Sequence, residues 1–300
     1  MQSKNIRKSP LVSIIIPTYK RPENLKRAIN SVLNQTYTPI EIIVVDDNGN
    51  GTKWQIYTET LLKDYIQQDK IKYITHEVNR NGSAARNTGF NASQGEYINF
   101  LDDDDIFEPT KIQKQIKCLN THPKEYGACI CNTHIKGFKR SFNTNITREG
   151  NLIQEVLTEE VAFNTSTVLF RRDVLLDLKG FDESFYRHQD WELYVRFFRK
   201  YKVCLVTDFL LTKISMPNII TNNPLKAIEY KEKFLQTFKN DFLQMSRYKQ
   251  IYKCQYEQLA LSLLIGKHKR KGIRYIKKAC TYGFPSPWVL IKYLYYLLHL

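Results

Sequence analysis

Tyr97-Ile98-Asn99-Phe100-Leu101-Asp102-Asp103-Asp104-Asp105 is a short apolar run that ends in four consecutive carboxylates. The run reads as a strand. Adjacent carboxylates repel, and the repulsion grows as water is excluded, so they persist where fully solvated or where a cation sits among them. In extended backbone Asp102 and Asp104 point to one side and Asp103 to the other. Two oxygens together at the carboxyl end of a parallel strand suit Mg²⁺ or Mn²⁺, and that edge is where open α/β sheets bind ligands. The alternative is a solvated turn that favours the next helix N-terminus, with Glu108 before Pro109. A second acidic turn, Asp46-Asp47-Asn48-Gly49, ends another strand and opens onto the same edge. Two such turns on one rim point to a polar pocket.

Working outward, the first hundred residues alternate strand and helix signals. Leu11–Ile16 is a strand that stops at Pro17. A helix starts at Pro22, its apolar stripe being Leu25, Ile29, Val32 and Leu33. Glu41–Val45, Lys72–Thr75 and Tyr97–Leu101 are further strands, separated by helices over about Thr52–Gln67 and Ser83–Ala92. Repeated βα units predict a mostly parallel sheet with helices on both faces. Beyond Pro109 come a helix, a strand near Ala128–Asn132, an unassigned polar stretch over 134–165, a strand at Ser166–Phe170, a helix at Trp191–Lys200 and a strand at Lys202–Val206. The Asn-rich stretch Pro217–Pro224 marks a boundary. Four helices follow, over about 226–245, 248–265, 269–281 and 286–298.

Between the third and fourth strands lies Asn81-Gly82-Ser83-Ala84-Ala85-Arg86-Asn87-Thr88-Gly89. Gly82 and Ser83 fit a turn and helix cap that leaves backbone N–H groups for an anion. Arg86, one turn in, is placed to pair with a diphosphate, or else with a neighbouring carboxylate. Neither the P-loop pattern nor G-x-G-x-x-G occurs here.

The chain of 300 residues carries 45 Lys and Arg against 30 Asp and Glu, a net charge of +15, and 42% of it is hydrophobic. That composition excludes collagen, disorder and a disulfide scaffold. The excess is local, because residues 226–300 hold 15 basic and 4 acidic side chains. Lys4, Arg7 and Lys8 precede an apolar run too short for a secretory leader, and no stretch reaches the roughly 20 apolar residues that span a bilayer. The six cysteines form no C-x-x-C pair; Cys129 and Cys131 read as small strand residues, zinc is not expected, and a reducing cytoplasm is the simplest setting.

Several motifs in order over about ninety residues resemble family 2 glycosyltransferases: Val12 through Tyr19 with Arg21-Pro22, Ser31 through Thr36, Glu41 through Asp47, Asn81 through Gly89, and Gly95 through Asp105. The resemblance implies the GT-A fold, a nucleotide-sugar donor and a divalent metal, Mn²⁺ or Mg²⁺. It implies that Pro17, Thr18, Tyr19 and Arg21 line the nucleoside, that Asp46 and Asp47 meet the base, and that Arg86 sits near base and diphosphate. Asp102 and Asp104 match the D-x-D pair, with Asp104 the stronger metal ligand and Asp102 or Asp103 nearer ribose and sugar. Gly180-Phe181-Asp182-Glu183 and His188-Gln189-Asp190-Trp191-Glu192-Leu193 resemble the second signature, making Asp190 the expected catalytic base. Asp190 can also cap the helix at Trp191. Gln189 stands where the family more often has Glu. Phe163-Asn164-Thr165-Ser166 falls on the acceptor side. Where many relatives carry Arg-x-His, Leu211–Met216 aligns Lys213 and Ser215, so a His ligand is missing and Lys213 is left to neutralise a phosphate; His188 is a weak substitute.

The implied domains are a catalytic unit over 1–220, its nucleotide-sugar half about 1–105 and its acceptor half about 106–220, and a basic helical region over 221–300. The implied reaction is inverting transfer from a UDP-sugar to a hydroxyl of a glycan or lipid-linked acceptor in cell-surface polysaccharide synthesis. A Mg²⁺-dependent nucleotidyltransferase is the enzyme alternative, and a basic membrane- or nucleic-acid-binding protein without catalysis the other. Over 267–300 a Lys/Arg-rich helix precedes an apolar, aromatic one, which suits an anionic membrane surface; a solvated face beside a homo-oligomer interface is the other reading. Nucleic acid is not expected. The setting is cytoplasmic, peripheral on the inner face of the cell membrane.

Overall fold

The computed structural model describes residues 9–137, 141–215, 224–285 and 287–298. Lys4, Arg7, Lys8, Met216 and the boundary over 217–223 lie outside them, as do the side chains of Ser215 and Trp288.

The chain begins with strand β1 (Val12–Thr18), helix α1 (Pro22–Leu33), β2 (Ile40–Asp46), α2 (Lys53–Gln67), β3 (Lys72–Thr75), α3 (Gly82–Ala92) and β4 (Tyr97–Phe100). β1 pairs in parallel with both β2 and β4, and β2 with β3. Being central, β1 is covered on both faces, which is why it reads as an unbroken apolar run rather than an alternating one. Val12, Ile14, Ile15 and Ile16 are fully buried, each contributing about 1.5–3 kcal/mol. α1 turns Leu25, Ala28, Ile29 and Val32 inward. Leu33, expected in that stripe, is exposed, and Ala28 belongs to the buried face instead. α3 lies so close to the sheet that a Cβ on Gly89 would collide with Ile15 and crowd Val45.

β5 (Asp105–Phe107), α4 (Lys111–Thr121), β6 (Tyr126–Gly137), β7 (Ser141–Asn143), α5 (Ile153–Leu157), β8 (Leu169–Arg171), α6 (Arg172–Asp177), α7 (Gln189–Phe198) and β9 (Lys202–Ser215) complete the sheet region. The strand order is β3-β2-β1-β4-β8-β6-β9-β5, with β7 on β6. The first four strands are parallel. β8 runs antiparallel to β4 and β6, β6 and β9 are parallel, and β5 is antiparallel to β9. β4 and β5 are consecutive in the chain yet have β8, β6 and β9 between them in the sheet. The four residues that join them reach at most about 14 Å. The sheet therefore curls until its last edge returns to β4, and the acidic turn closes the curl.

Three expectations shift. Ser166–Phe170 is not one strand: Thr165–Thr167 forms a 3₁₀ turn and β8 begins at Leu169. The strands predicted at Ala128–Asn132 and Lys202–Val206 run on to Gly137 and Ser215, pairing along most of their length. The unassigned polar stretch contains the end of β6, β7 and α5.

The C-terminal helices are α8 (Pro224–Thr237), α9 (Lys239–Gln244), α10 (Tyr248–Ile265), α11 (Lys269–Cys280) and α12 (Pro287–Leu298). Phe234, Phe238, Phe242, Tyr252 and Tyr256 belong to the same buried cluster as Phe100, Phe170 and Phe197. A second cluster fills the other face of the sheet under α1 and α4.

Candidate active site

Two clefts meet at the start of α7. The first, about 250 Å³, is lined by Pro17 and Thr18 at the end of β1, Tyr19 and Arg21 after it, Asp47 after β2, the Asn79–Arg86 turn and helix start, Asp102, Asp103 and Gln189. Parallel strands that end in register place these turns side by side. The Asp47 N–H donates to the Thr18 carbonyl at 3.0 Å, and Thr18 Oγ1 donates to Asp103 at 2.8 Å.

Asp47 is fixed by His76 Nδ1 at 2.7 Å, Asn79 Nδ2 at 2.8 Å and the Arg80 N–H at 2.8 Å. Asp46, its sequence neighbour, does not reach the cleft. It is fully buried, accepts hydrogen bonds from the Tyr73 hydroxyl at 2.6 Å and the Asn48 N–H at 2.8 Å, and its carboxyl is pushed up by burial. Alternation along β2 puts the two carboxylates on opposite sides, so Asp46 holds the turn and Asp47 faces the cleft.

The helix cap is also displaced from its expected place. Asn81, at φ 81°, caps α3, and its Oδ1 takes the Ser83 and Ala84 N–H groups at 2.8 and 3.3 Å. Those donors are thereby used internally. Cationic character at this rim comes instead from Arg86, whose Nη2 meets Asp102 at 2.8 Å and whose Nη1 donates to Gln189 Oε1 at 2.9 Å.

The acidic segment is a turn, not extended chain: the Asp105 N–H donates to the Asp102 carbonyl at 3.0 Å. That reversal changes which carboxylates meet. Oxygens of Asp102, Asp104 and Asp105 lie within 4.8 Å of one another, while Asp103 turns towards Thr18 and Arg21. Arg21 also reaches Asp104 at 2.6 Å, and Lys213 reaches Asp105 at 3.4 Å. Burial opposes ionisation at Asp102, Asp103 and Asp105. At Asp102, Arg86 with Lys213 and Arg21 overcomes burial and holds the carboxyl below the usual range. Burial wins at Asp103, pushed up to about 7, and at Asp105, pushed up to about 6. Three convergent carboxylates are the hard-oxygen donor set that Mg²⁺ and Mn²⁺ prefer.

The second cleft, about 470 Å³, is lined by Thr133, Ile135, Glu159, Phe163, Asn164, Asp190, Trp191 and Lys213 among others. α7 begins earlier than expected, at Gln189, after His188 in the left-handed region at φ 58°. Asp190 is therefore within the first turn rather than at the cap, its Oδ1 accepting the Trp191 N–H at 2.9 Å. Burial raises its carboxyl pKa. His188 turns away from the acidic turn and stacks on Trp191 at 5.0 Å between centroids.

Residues 13–178 match the sequence profile of Glycosyl transferase family 2. This chain belongs to that family. An uncharacterised glycosyltransferase of Methanocaldococcus jannaschii is 32% identical over 225 residues, covering 70% of this glycosyltransferase and 72% of the relative. Two solved structures share the GT-A fold. Staphylococcus aureus TarS 1–349 in complex with UDP-GlcNAc aligns with TM-score 0.59 and 15% identity, over 95% of this chain and 79% of that one. The mannosyltransferase PcManGT of Pyrobaculum calidifontis, in complex with GDP-Man and Mn²⁺, aligns with TM-score 0.59 and 17% identity over 98% and 82%.

Of the expected site residues, Pro17, Thr18, Tyr19, Arg21, Asp47, Arg86, Asp102 and Asp103 share the first cleft of this glycosyltransferase, and Asp190 opens on the second. Asp104 joins the carboxylate cluster. Sequence reasoning missed Asp105 as a member of that cluster, because its place depends on the turn. It also missed Asn79, Asn81 and Gln189 as cleft walls; the Asn-rich character of the 79–81 turn was the available signal.

Proposed function

We propose that this glycosyltransferase moves a sugar from a nucleoside-diphosphate sugar, a UDP-sugar in the first instance, to a hydroxyl of a glycan or lipid-linked acceptor in cell-surface polysaccharide synthesis. The observation that carries the reading is the junction of two clefts at consecutive residues, Gln189 walling one and Asp190 the other. A donor in the first cleft and an acceptor in the second would meet at that seam. The donor complexes of the two structural neighbours, UDP-GlcNAc and GDP-Man, support the donor class.

In this reading Asp47 and the 79–81 turn hold the base end of the donor, and Arg86, with its Nε buried and unpartnered, turns from Asp102 towards the diphosphate. Asp102, Asp104 and Asp105 would hold Mn²⁺ or Mg²⁺, which supplies positive charge for the departing diphosphate when bound. Asp190 takes the proton of the acceptor hydroxyl as its oxygen attacks the anomeric carbon. The bond from that carbon to the diphosphate breaks, the nucleoside diphosphate leaves with the electron pair, and the anomeric configuration inverts. Burial suits Asp190 to this work, because a raised pKa makes a carboxylate a stronger base.

The tail supports a peripheral membrane location on the cytoplasmic face. α11 carries Lys269, Arg270, Lys271, Arg274, Lys277 and Lys278, and Phe284, Leu290, Ile291, Leu294 and Tyr295 beside it expose apolar surface. Basic and apolar groups together suit an anionic bilayer surface. Among the described residues no helix is long and apolar enough to cross a membrane.

The deciding experiment is a panel of nucleotide-sugars incubated with and without Mn²⁺, read by the nucleotide released. Nucleoside diphosphate from one donor supports the reading. Transfer of the nucleoside monophosphate with release of sugar 1-phosphate instead would identify a nucleotidyltransferase.

A further inference from the structure

Three thiols far apart in the chain meet beneath α4. Cys129 on β6 and Cys204 on β9 are direct partners in a parallel ladder, so their side chains stand together on the face that α4 covers. Cys118 descends from α4, and the three Sγ atoms lie within 4.8 Å of one another. Cys129 and Cys204 are fully buried, and all three are free thiols. One turn after Cys118, His122 sets its Nδ1 4.0 Å from Cys118 Sγ and 2.8 Å from the Cys118 carbonyl oxygen. Its Nε2 lies 3.4 Å from a Glu149 carboxylate oxygen.

Tetrahedral zinc, with bonds of about 2.3 Å to sulfur and 2.0 Å to nitrogen, spaces its ligand atoms roughly 3.5–3.8 Å apart. The three thiols approach that spacing before any adjustment; the imidazole neighbours Cys118 alone, and its Nδ1 would leave the Cys118 carbonyl to become the fourth ligand. A carboxylate on the far imidazole nitrogen is the arrangement that orients a metal-bound histidine. Charge agrees as well. Three thiolates, one neutral imidazole and Zn²⁺ sum to −1, which a buried site needs balanced. Lys111, two turns before Cys118 on α4, is fully buried, and its Nζ is bonded to the neutral amide of Gln115 at 2.7 Å with no carboxylate within ion-pair distance among the described residues.

We propose that Cys118, Cys129, Cys204 and His122 bind one thiophilic divalent metal, Zn²⁺, at a closed structural site distinct in chemistry from the oxygen cluster at the acidic turn. The site pins α4, which leads away from that turn, to β6 and β9, which carry Thr133, Ile135 and Lys213 of the second cleft.

The test uses the full chain purified without chelator. Elemental analysis should find about one equivalent of zinc per chain, and Co²⁺ exchange should produce sulfur-to-metal charge-transfer bands with strong tetrahedral d–d absorption. Cys118→Ser and Cys204→Ser should each lose the metal, exposed Cys280→Ser should keep it, and Glu149→Gln, which removes the carboxylate behind the imidazole, should weaken it by about 10–100-fold, with His122→Ala weakening it further. Absence of thiolate bands after saturation with Co²⁺, or a disulfide among these cysteines found by mass spectrometry, would overturn the proposal. Carboxylate-bound cobalt gives no such bands, so the wild-type spectrum decides even if a cysteine variant does not fold.

Discussion

Gln189 Oε1 accepts a hydrogen bond from Arg86 Nη1 at 2.9 Å, and the other end of that guanidinium holds Asp102. The residue before the proposed base is thus tied to the acidic turn through one side chain. An amide at this position keeps the acceptor oxygen while omitting a negative charge beside Asp190. Gln189→Glu would restore that charge, and a like charge disfavours ionisation of its neighbour. The acidic limb of the pH profile for kcat should move up by about one unit, with donor affinity largely kept. A profile that does not move would separate Gln189 from the base.

Asp190→Asn removes the base and retains the shape. Transfer should fall by about 10²–10⁴-fold, while the donor still raises Tm. The variant should also be no less stable at pH 8, because burial opposes the ionised carboxylate it replaces. Isothermal titration with donor and thermal melts measure both. Full turnover would remove Asp190 from the reaction.

Asp103 makes a stability prediction with a definite sign. Its carboxyl is raised by burial from 3.8 to about 7. Between those values the folded chain keeps a proton that the unfolded chain has released. Stability contributed by the neutral form is therefore lost as pH rises through that window, on the order of 2–4 kcal/mol for this group. Asp103→Asn should flatten the slope of stability against pH between 4 and about 7, measured by urea unfolding in metal-free buffer.

Asp105→Asn tests the folded acidic turn. In the D-x-D reading alone this residue has no part. If its oxygen joins those of Asp102 and Asp104 in holding a cation, the Mn²⁺ needed for half-maximal donor binding should rise about tenfold or more. An unchanged requirement would limit the metal site to Asp102 and Asp104.

Ile291→Asp with Leu294→Asp puts two charges on the exposed face of α12. Co-sedimentation with anionic vesicles should drop several-fold, with turnover on a water-soluble acceptor unchanged. Equal sedimentation of both proteins, or none by the wild type at low salt, would end the membrane reading.

Much of this architecture was legible because local rules agree. The βα alternation, Pro22 at a helix start and two acidic turns at strand ends all point to one rim, and the cleft lies there. The failures share a cause. Asp102 through Asp105 are chemically identical in sequence, and only the hydrogen bond that reverses the turn decides which three converge. Asn81 and His188 both sit at positive φ, a conformation that local preference assigns to glycine, so each helix start was misplaced by one or two residues. The thiol cluster draws on residues 118, 129 and 204, a spacing that no local motif expresses.

The aromatic seam behind α7 has a practical consequence. Phe234 of α8 packs against both His188 and Trp191 at 5.5 and 5.9 Å, and the Lys231 ammonium lies over the Trp191 ring at 4.6 Å. Each recognisable motif ends by residue 216, so trimming the chain there would preserve the whole signature. It would also strip the backing from the helix that aims Asp190. A minimal enzyme cut to the borders of its motifs would keep its vocabulary and lose its grammar.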